Sequence, residues 1–174
     1  MVELTSTPVR IPEEKIRGKA RGKGGLIGKV LLWKQPMTLL RLEYLKFYRF
    51  AFSYDVTVRV FPAKKRDLTG KIEIITDAMT GKCAVNDIHI DLFETEGRHF
   101  MDGRFDMEVP PAMELAEGFA KRIVMRLTKG TPIFGECLEP EYFYRPYYIA
   151  YYGDPEDKAC RFLHFEADGH TFKR

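Results

Sequence analysis

The chain has 174 residues, 45% hydrophobic, 13% aromatic and 30% charged, with a formal net charge of +3. That length and aromatic content predict one folded domain with its own core and exclude a disordered chain. Apolar runs are too short for a membrane-spanning helix, and residues 1–15 carry no apolar signal-peptide core, so export is not expected.

The net charge hides an asymmetry. Residues 1–50 hold 11 Lys and Arg against four Asp and Glu, and residues 51–174 hold 17 against 21. A basic front on an acidic body steers nucleic acid or an anionic surface, or else serves solubility and docks on the acidic body of a second copy. The three cysteines, Cys83, Cys137 and Cys160, are odd in number and widely spaced. They make no disulfide framework and point to a reducing, cytoplasmic setting.

Residues 1–25 are expected to form a flexible basic arm. Pro8, Pro12 and the stretch from Arg17 to Gly25 discourage regular structure, apart from one helical turn over Ile11–Ile16. Leu26–Trp33 is apolar with one lysine, and at this length periodicity does not separate a buried strand from a helix.

Phe50–Val60 is the clearest strand. Phe50, Phe52, Tyr54, Val56, Val58 and Val60 share one face, and Ala51, Ser53, Asp55, Thr57 and Arg59 the other. Pro62–Gly70 reads as a basic loop and Lys71–Asp77 as the returning strand, closed by a turn at Met79–Gly81. A third strand is expected at Ile88–Leu92, a loop at Gly97–Gly103 and a short strand at Arg104–Val109.

Pro110 and Pro111 open an amphipathic helix. Ala112, Leu115, Ala116, Phe119, Ala120, Ile123, Val124 and Leu127 recur at spacings of three and four, and Gly130 with Pro132 stops it. Tyr147–Tyr152 and Ala159–Glu166 are further strands, joined by a turn at Asp154–Asp157 and followed by a turn at Asp168-Gly169 and a short basic tail, Thr171–Arg174.

Two segments, 43–82 and 141–169, read alike. Glu43-Tyr44-Leu45-Lys46-Phe47 matches Glu141-Tyr142-Phe143-Tyr144-Arg145, and one inserted residue aligns Ala51 with Ala150. Each leads through a second strand into an aspartate-glycine turn, so one hairpin used twice is expected. The first turn, Asp77-Ala78-Met79-Thr80-Gly81-Lys82, resembles the end of a PepSY-type hairpin, where a strand runs into Asp-x-x-Thr-Gly-Lys. The resemblance covers the 54–82 hairpin and, more loosely, the 147–169 one, whose turn lacks the Thr-Gly. It implies a helix on an antiparallel sheet and a binding or inhibitory role.

No motif names a reaction. A phosphate loop needs two glycines separated by four residues, then Lys and Ser/Thr. Gly24 and Gly28 enclose only three residues, and Lys29 precedes Val30. The dinucleotide fingerprint fails at Ile27. Cys160 and His164 share a strand face, but paired zinc-ligand spacings are missing, so no metal or cofactor is expected. No nucleophile elbow occurs, and enzymatic activity is not expected.

Seven aromatic residues crowd the stretch from Tyr142 to Tyr152. On a strand they split between faces, one packing under the helix and the other meeting water or a partner. The expected fold is α+β: an antiparallel sheet of two related hairpins packed against one amphipathic helix, spanning residues 26–174 behind the arm. The expected role is a non-catalytic binding or protein-interaction module that self-associates through Tyr144, Arg145, Tyr148 and Tyr152. The alternative is nucleic-acid binding, with Arg17, Lys19, Arg21 and Lys23 on phosphates and the tyrosines stacking bases. No membrane partner is expected.

Overall fold

The computed structural model describes residues 1–32, 35–60, 64–155, 157 and 160–170. It is a mixed α/β structure with a large, mostly antiparallel sheet, and among the described residues it carries three α-helices where the sequence pattern suggested one. The chain divides into two compact units. Unit 1 takes residues 1–45, 91–102 and 144–170, and unit 2 takes 46–90 and 103–143. This division cuts across the expected boundary at residue 25.

Unit 2 is built on a long hairpin. Strand β2 (Leu39–Val60) enters it at Lys46 and pairs antiparallel with β3 (Lys64–Asp77), from Phe47 opposite Asp77 to Val60 opposite Lys64. Phe50, Phe52, Val56 and Val58 are buried, while Ser53, Asp55, Thr57 and Arg59 are exposed, so the alternation in the sequence becomes a dry and a wet face. The basic segment expected to be a loop is strand from Lys64 onward. Lys65, Arg66 and Asp67 are exposed, Leu68 packs with Val56 and Val58, and Thr57 donates a hydrogen bond to Asp67 across the pair. Residues 61–63 lie outside the described residues.

Strand β4 (Cys83–Val85) pairs with β3, and β6 (Pro132–Cys137) pairs with β2, both antiparallel. The turn between β3 and β4 is held by one side chain. Asp77 Oδ1 accepts from the Met79 and Thr80 amides and Oδ2 from the Thr80 hydroxyl, while Gly81 takes φ +68°.

Helix α3 (Val109–Thr128) starts with Pro110 and Pro111 in its first turn and ends at Lys129 in the left-handed region, φ 57°. Its buried line is Ala112, Ala116, Ala120 and Val124, whereas Leu115 and Leu127 are exposed. Small side chains let the helix lie close on Tyr48, Phe50 and Phe52, whose rings fill the layer between. No strand forms at 104–109, because the helix already begins at Val109 and Met107 bonds to the chain at Ala78 and Tyr48 instead.

Unit 1 assembles from the two ends of the described chain together with the intervening segment 91–102. Strand β1 (Val2–Ser6) pairs antiparallel with β5 (Phe93–Gly97) and meets β7 (Glu141–Tyr152) in parallel at Ser6 and Tyr144. The strand expected over Ile88–Leu92 does not form, and the strand in this region is β5, which begins after it at Phe93. Strand β7 pairs antiparallel with β8 (Arg161–Glu166), from Tyr147 opposite Glu166 to Tyr152 opposite Arg161.

The residues expected to be an arm hold β1 and helix α1 (Glu13–Arg21). Glu13 and Glu14 occupy the first turn, and Lys19 and Arg21 the last, as the helix dipole favours. Gly18 inside the helix costs about 1 kcal/mol relative to alanine. Burial of Ile16 and Ala20, four residues apart on one face, offsets that cost. The apolar run after the arm becomes a short helix, α2 (Leu26–Leu31). Trp33 and the tail from Thr171 to Arg174 lie outside the described residues.

Candidate functional site

The sequence placed the contact surface on β7, and the structure buries most of it. Tyr148 is 6% and Tyr152 1% exposed. The cover is α1. Ile16 packs with Tyr148 and Ala167, and Ala20 with Ala150 and Tyr152, whose hydroxyl donates to the Ala20 carbonyl at 2.6 Å. A stretch read as a solvated arm therefore occupies the face read as a partner surface, and neither tyrosine offers a stacking platform. Tyr144 is half-buried, its ring set edge-on to His99 at 5.1 Å between centroids.

Arg145, expected on the contact surface with Tyr144, Tyr148 and Tyr152, is 2% exposed. Its Nε and Nη2 donate to the two Asp168 oxygens at 2.7 and 2.8 Å, and Nη2 also donates to the His170 carbonyl. Asp168 accepts further bonds from the Thr7 hydroxyl and the His170 amide. Burial alone would raise the Asp168 pKa, but the Arg145 guanidinium and these donors hold it below the ordinary carboxylate value. Gly169 beside it takes φ +70°, so this turn, like the one at Asp77, combines an aspartate side chain with a left-handed glycine.

Of the four basic candidates, Arg17 pairs with Glu13 along α1, and Lys19 and Arg21 are exposed on it. Lys23 stands apart from the other three. It lies past the helix with φ 61° and donates its ammonium to the Leu32 carbonyl, which fixes it in the wall of a groove between α2 and β8.

That groove is a cavity of about 940 Å³. Leu26, Leu32, Leu163 and Phe165 supply its apolar surface, and Lys23 and Arg161 its cations. His164 and Cys160 also line it, and none of its described lining residues is acidic. Two glycines shape the wall. A Cβ at Gly28 would run into the Lys23 carbonyl, and one at Gly24, where φ is +65°, would stand 3.2 Å from the Phe165 ring. Gly24 thus lets the backbone approach β8 closely, and Gly28 lets α2 lie against the Lys23 carbonyl.

The groove's outer lip is Leu26, which is 81% exposed despite being apolar. On strand β8, Phe162, Leu163 and Phe165 are half-buried and Arg161, His164 and Glu166 exposed. Sequence reasoning missed this site. Leu163 and Phe165 share one face of a short strand, and Leu26, Gly28 and Leu32 supply the other wall, but nothing local brings the two together.

Among the described residues no cluster of three or more His, Cys, Asp or Glu is placed to hold a metal ion, and no helix is long and apolar enough to cross a membrane. Searches of protein-family models, curated proteins and solved structures return no match to this chain.

Proposed function

We propose that this chain is a binding module that holds its partner in the groove between α2 and β8. The groove carries this reading. Its volume lies within the range of small-molecule sites, its lining is mainly apolar, and a few polar groups sit in its wall. The exposed Leu26 at its lip is the kind of apolar surface that a bound partner removes from water.

The reading keeps the binding role suggested by the sequence and moves the contact surface off the tyrosines. Self-association through Tyr148 and Tyr152 would require α1 to leave them, which exposes a buried apolar layer.

Nile red, a neutral dye that brightens in apolar surroundings, tests the groove directly. The full chain is expected to bind it saturably, and Leu26→Glu to abolish binding while leaving the unfolding midpoint in place, since Leu26 is exposed. Undiminished binding by Leu26→Glu, or no binding by the unaltered chain, would remove the groove from consideration.

A further inference from the structure

We infer that the far end of the β2/β3 hairpin binds the phosphate backbone of a double-stranded nucleic acid through Arg59, Lys65 and Arg66, rather than through the cations of α1. This surface belongs to unit 2 and is independent of the groove.

Cations gather there against the local balance. Residues 57–67 hold four Lys and Arg and one Asp, within a stretch, 51–174, where acids outnumber bases by 21 to 17. The register makes this unfavourable for the chain alone. Arg59 lies directly opposite Lys65, with Arg66 next along β3, and like charges facing across a ladder repel. All three side chains are exposed, and none of them forms an ion pair among the described residues. Asp67 instead accepts the Thr57 hydroxyl at 2.6 Å. A polyanion from outside the chain offsets the repulsion.

Shape and spacing select a duplex. Strand β6 reaches only Pro132 opposite Val56, so among the described residues the hairpin runs on from Thr57 to Val60 as a two-stranded ribbon. Lys65 and Arg66, adjacent on β3, fall on opposite faces, which suits the two phosphate walls of a groove. A Cβ at Gly130 would stand 2.8 Å from the Thr57 carbonyl, so exposed Lys129 borders the ribbon as well. Residues opposed across a ladder are about 4.5–5.5 Å apart, and cations that close match a polymer with one negative charge per about 1.7 Å of axis. No large apolar or aromatic side chain is exposed among the described ribbon residues, so neither a lipid surface nor the unstacked bases of a single strand gain a contact beyond charge.

Fluorescence anisotropy of a fluorescein-labelled DNA duplex, titrated with the full chain at several salt concentrations, is the test. Three phosphate contacts predict a salt slope of about −2.7, which weakens binding about 40-fold between about 50 and 200 mM salt. Arg59→Thr, Lys65→Thr and Arg66→Thr combined are expected to weaken binding at least about tenfold at the lower salt and to flatten the slope. Lys65→Glu alone is expected to weaken binding while raising the urea unfolding midpoint, because it sets opposite charges across the ladder from Arg59. A purely structural role would move stability and binding together.

No duplex binding at the lower salt, or undiminished binding by the triple variant, overturns the inference. Tighter binding to a single strand of the same sequence overturns it too, as does flotation with phosphatidylglycerol vesicles in the absence of duplex binding, which assigns the surface to a membrane. An equal loss from Lys19→Thr with Arg21→Thr, at exposed positions of α1, marks the general attraction of a cationic protein for DNA and removes the ribbon as its site.

Discussion

Arg145 and Asp168 meet side-on in the interior of unit 1, two parallel N–H···O bonds joining a guanidinium and a carboxylate that are 2% and 0% exposed. The pair ties β7 to the turn that ends the β7/β8 hairpin, and through the Thr7 hydroxyl it also fastens the segment after β1. Its sequence signal was present but pointed elsewhere. An arginine within a tyrosine cluster resembles a stacking residue, and only the fold shows that an aspartate 23 residues later lies against it.

Removing one partner leaves the other charge buried. Asp168→Asn is expected to destabilise the chain by about 3–5 kcal/mol, read from urea unfolding. Because the pair holds the Asp168 pKa down, its contribution is fully present above the ordinary carboxylate value of about 4 and is lost as pH falls through the lower folded-state value. Stability of the unaltered chain should therefore fall below about pH 4, and Asp168→Asn should show a shallower fall over the same window. Equal slopes would contradict the assignment of that titration to Asp168.

Helix α1 should behave as part of the core. Ile16→Ala is expected to cost about 2–5 kcal/mol, as for other buried aliphatic truncations. Tyr152→Phe, which leaves the Ala20 carbonyl without its hydroxyl partner, should cost about 1–2 kcal/mol. Both are measurable by denaturant titration. A solvated arm would show no effect from Ile16→Ala, and that outcome would restore the tyrosine face as a contact surface.

Tyrosine ionisation gives a second pH signature. Burial raises the Tyr151 pKa, and the Glu43 carboxylate, which accepts the Tyr151 hydroxyl at 2.9 Å, raises it further. Burial also raises Tyr152, and it raises Tyr148, where Glu13 and Glu14 of α1 add to the effect. Groups whose protonated form is favoured by folding stabilise the chain below the unfolded value, about 10 for tyrosine, and lose that contribution as pH climbs through the folded value. Absorbance titration should show these tyrosines ionising late, together with alkaline unfolding. Tyr151→Phe should flatten the decline in stability above pH 10; an unchanged slope would exclude Tyr151 as its source.

The parts of the fold that were legible are those written in local periodicity. Strict alternation over Phe50–Val60 gave a strand with one buried face, and the small and large apolar residues after Pro110-Pro111 gave α3. Pattern failed where a distant partner decides. Gly18, Gly22, Gly24 and Gly25 lower helix propensity, yet the tyrosine-rich face of β7 supplies enough apolar contact for α1 to form. Lys65, Arg66 and Asp67 look like loop residues until β2 provides a ladder for them and leaves their charges in water.

The candidate site was legible only in Lys23. The groove depends on a helix near residue 26 meeting a strand near residue 161, a separation that no motif window covers.

The route of the chain through the two units also sets an order of events during synthesis. Unit 2 draws on residues 46–90 and 103–143 among those described, whereas unit 1 needs residues 1–45 and 91–102 to meet residues 144–170. As the ribosome adds about 5–20 residues per second, the last segment of unit 2, which ends at Phe143, is made about 1–5 seconds before the end of β8 at Glu166. Throughout that interval Ile16 and Ala20 lack the β7 face that buries them in the folded chain, so the apolar side of α1 stays in water until the last strands arrive.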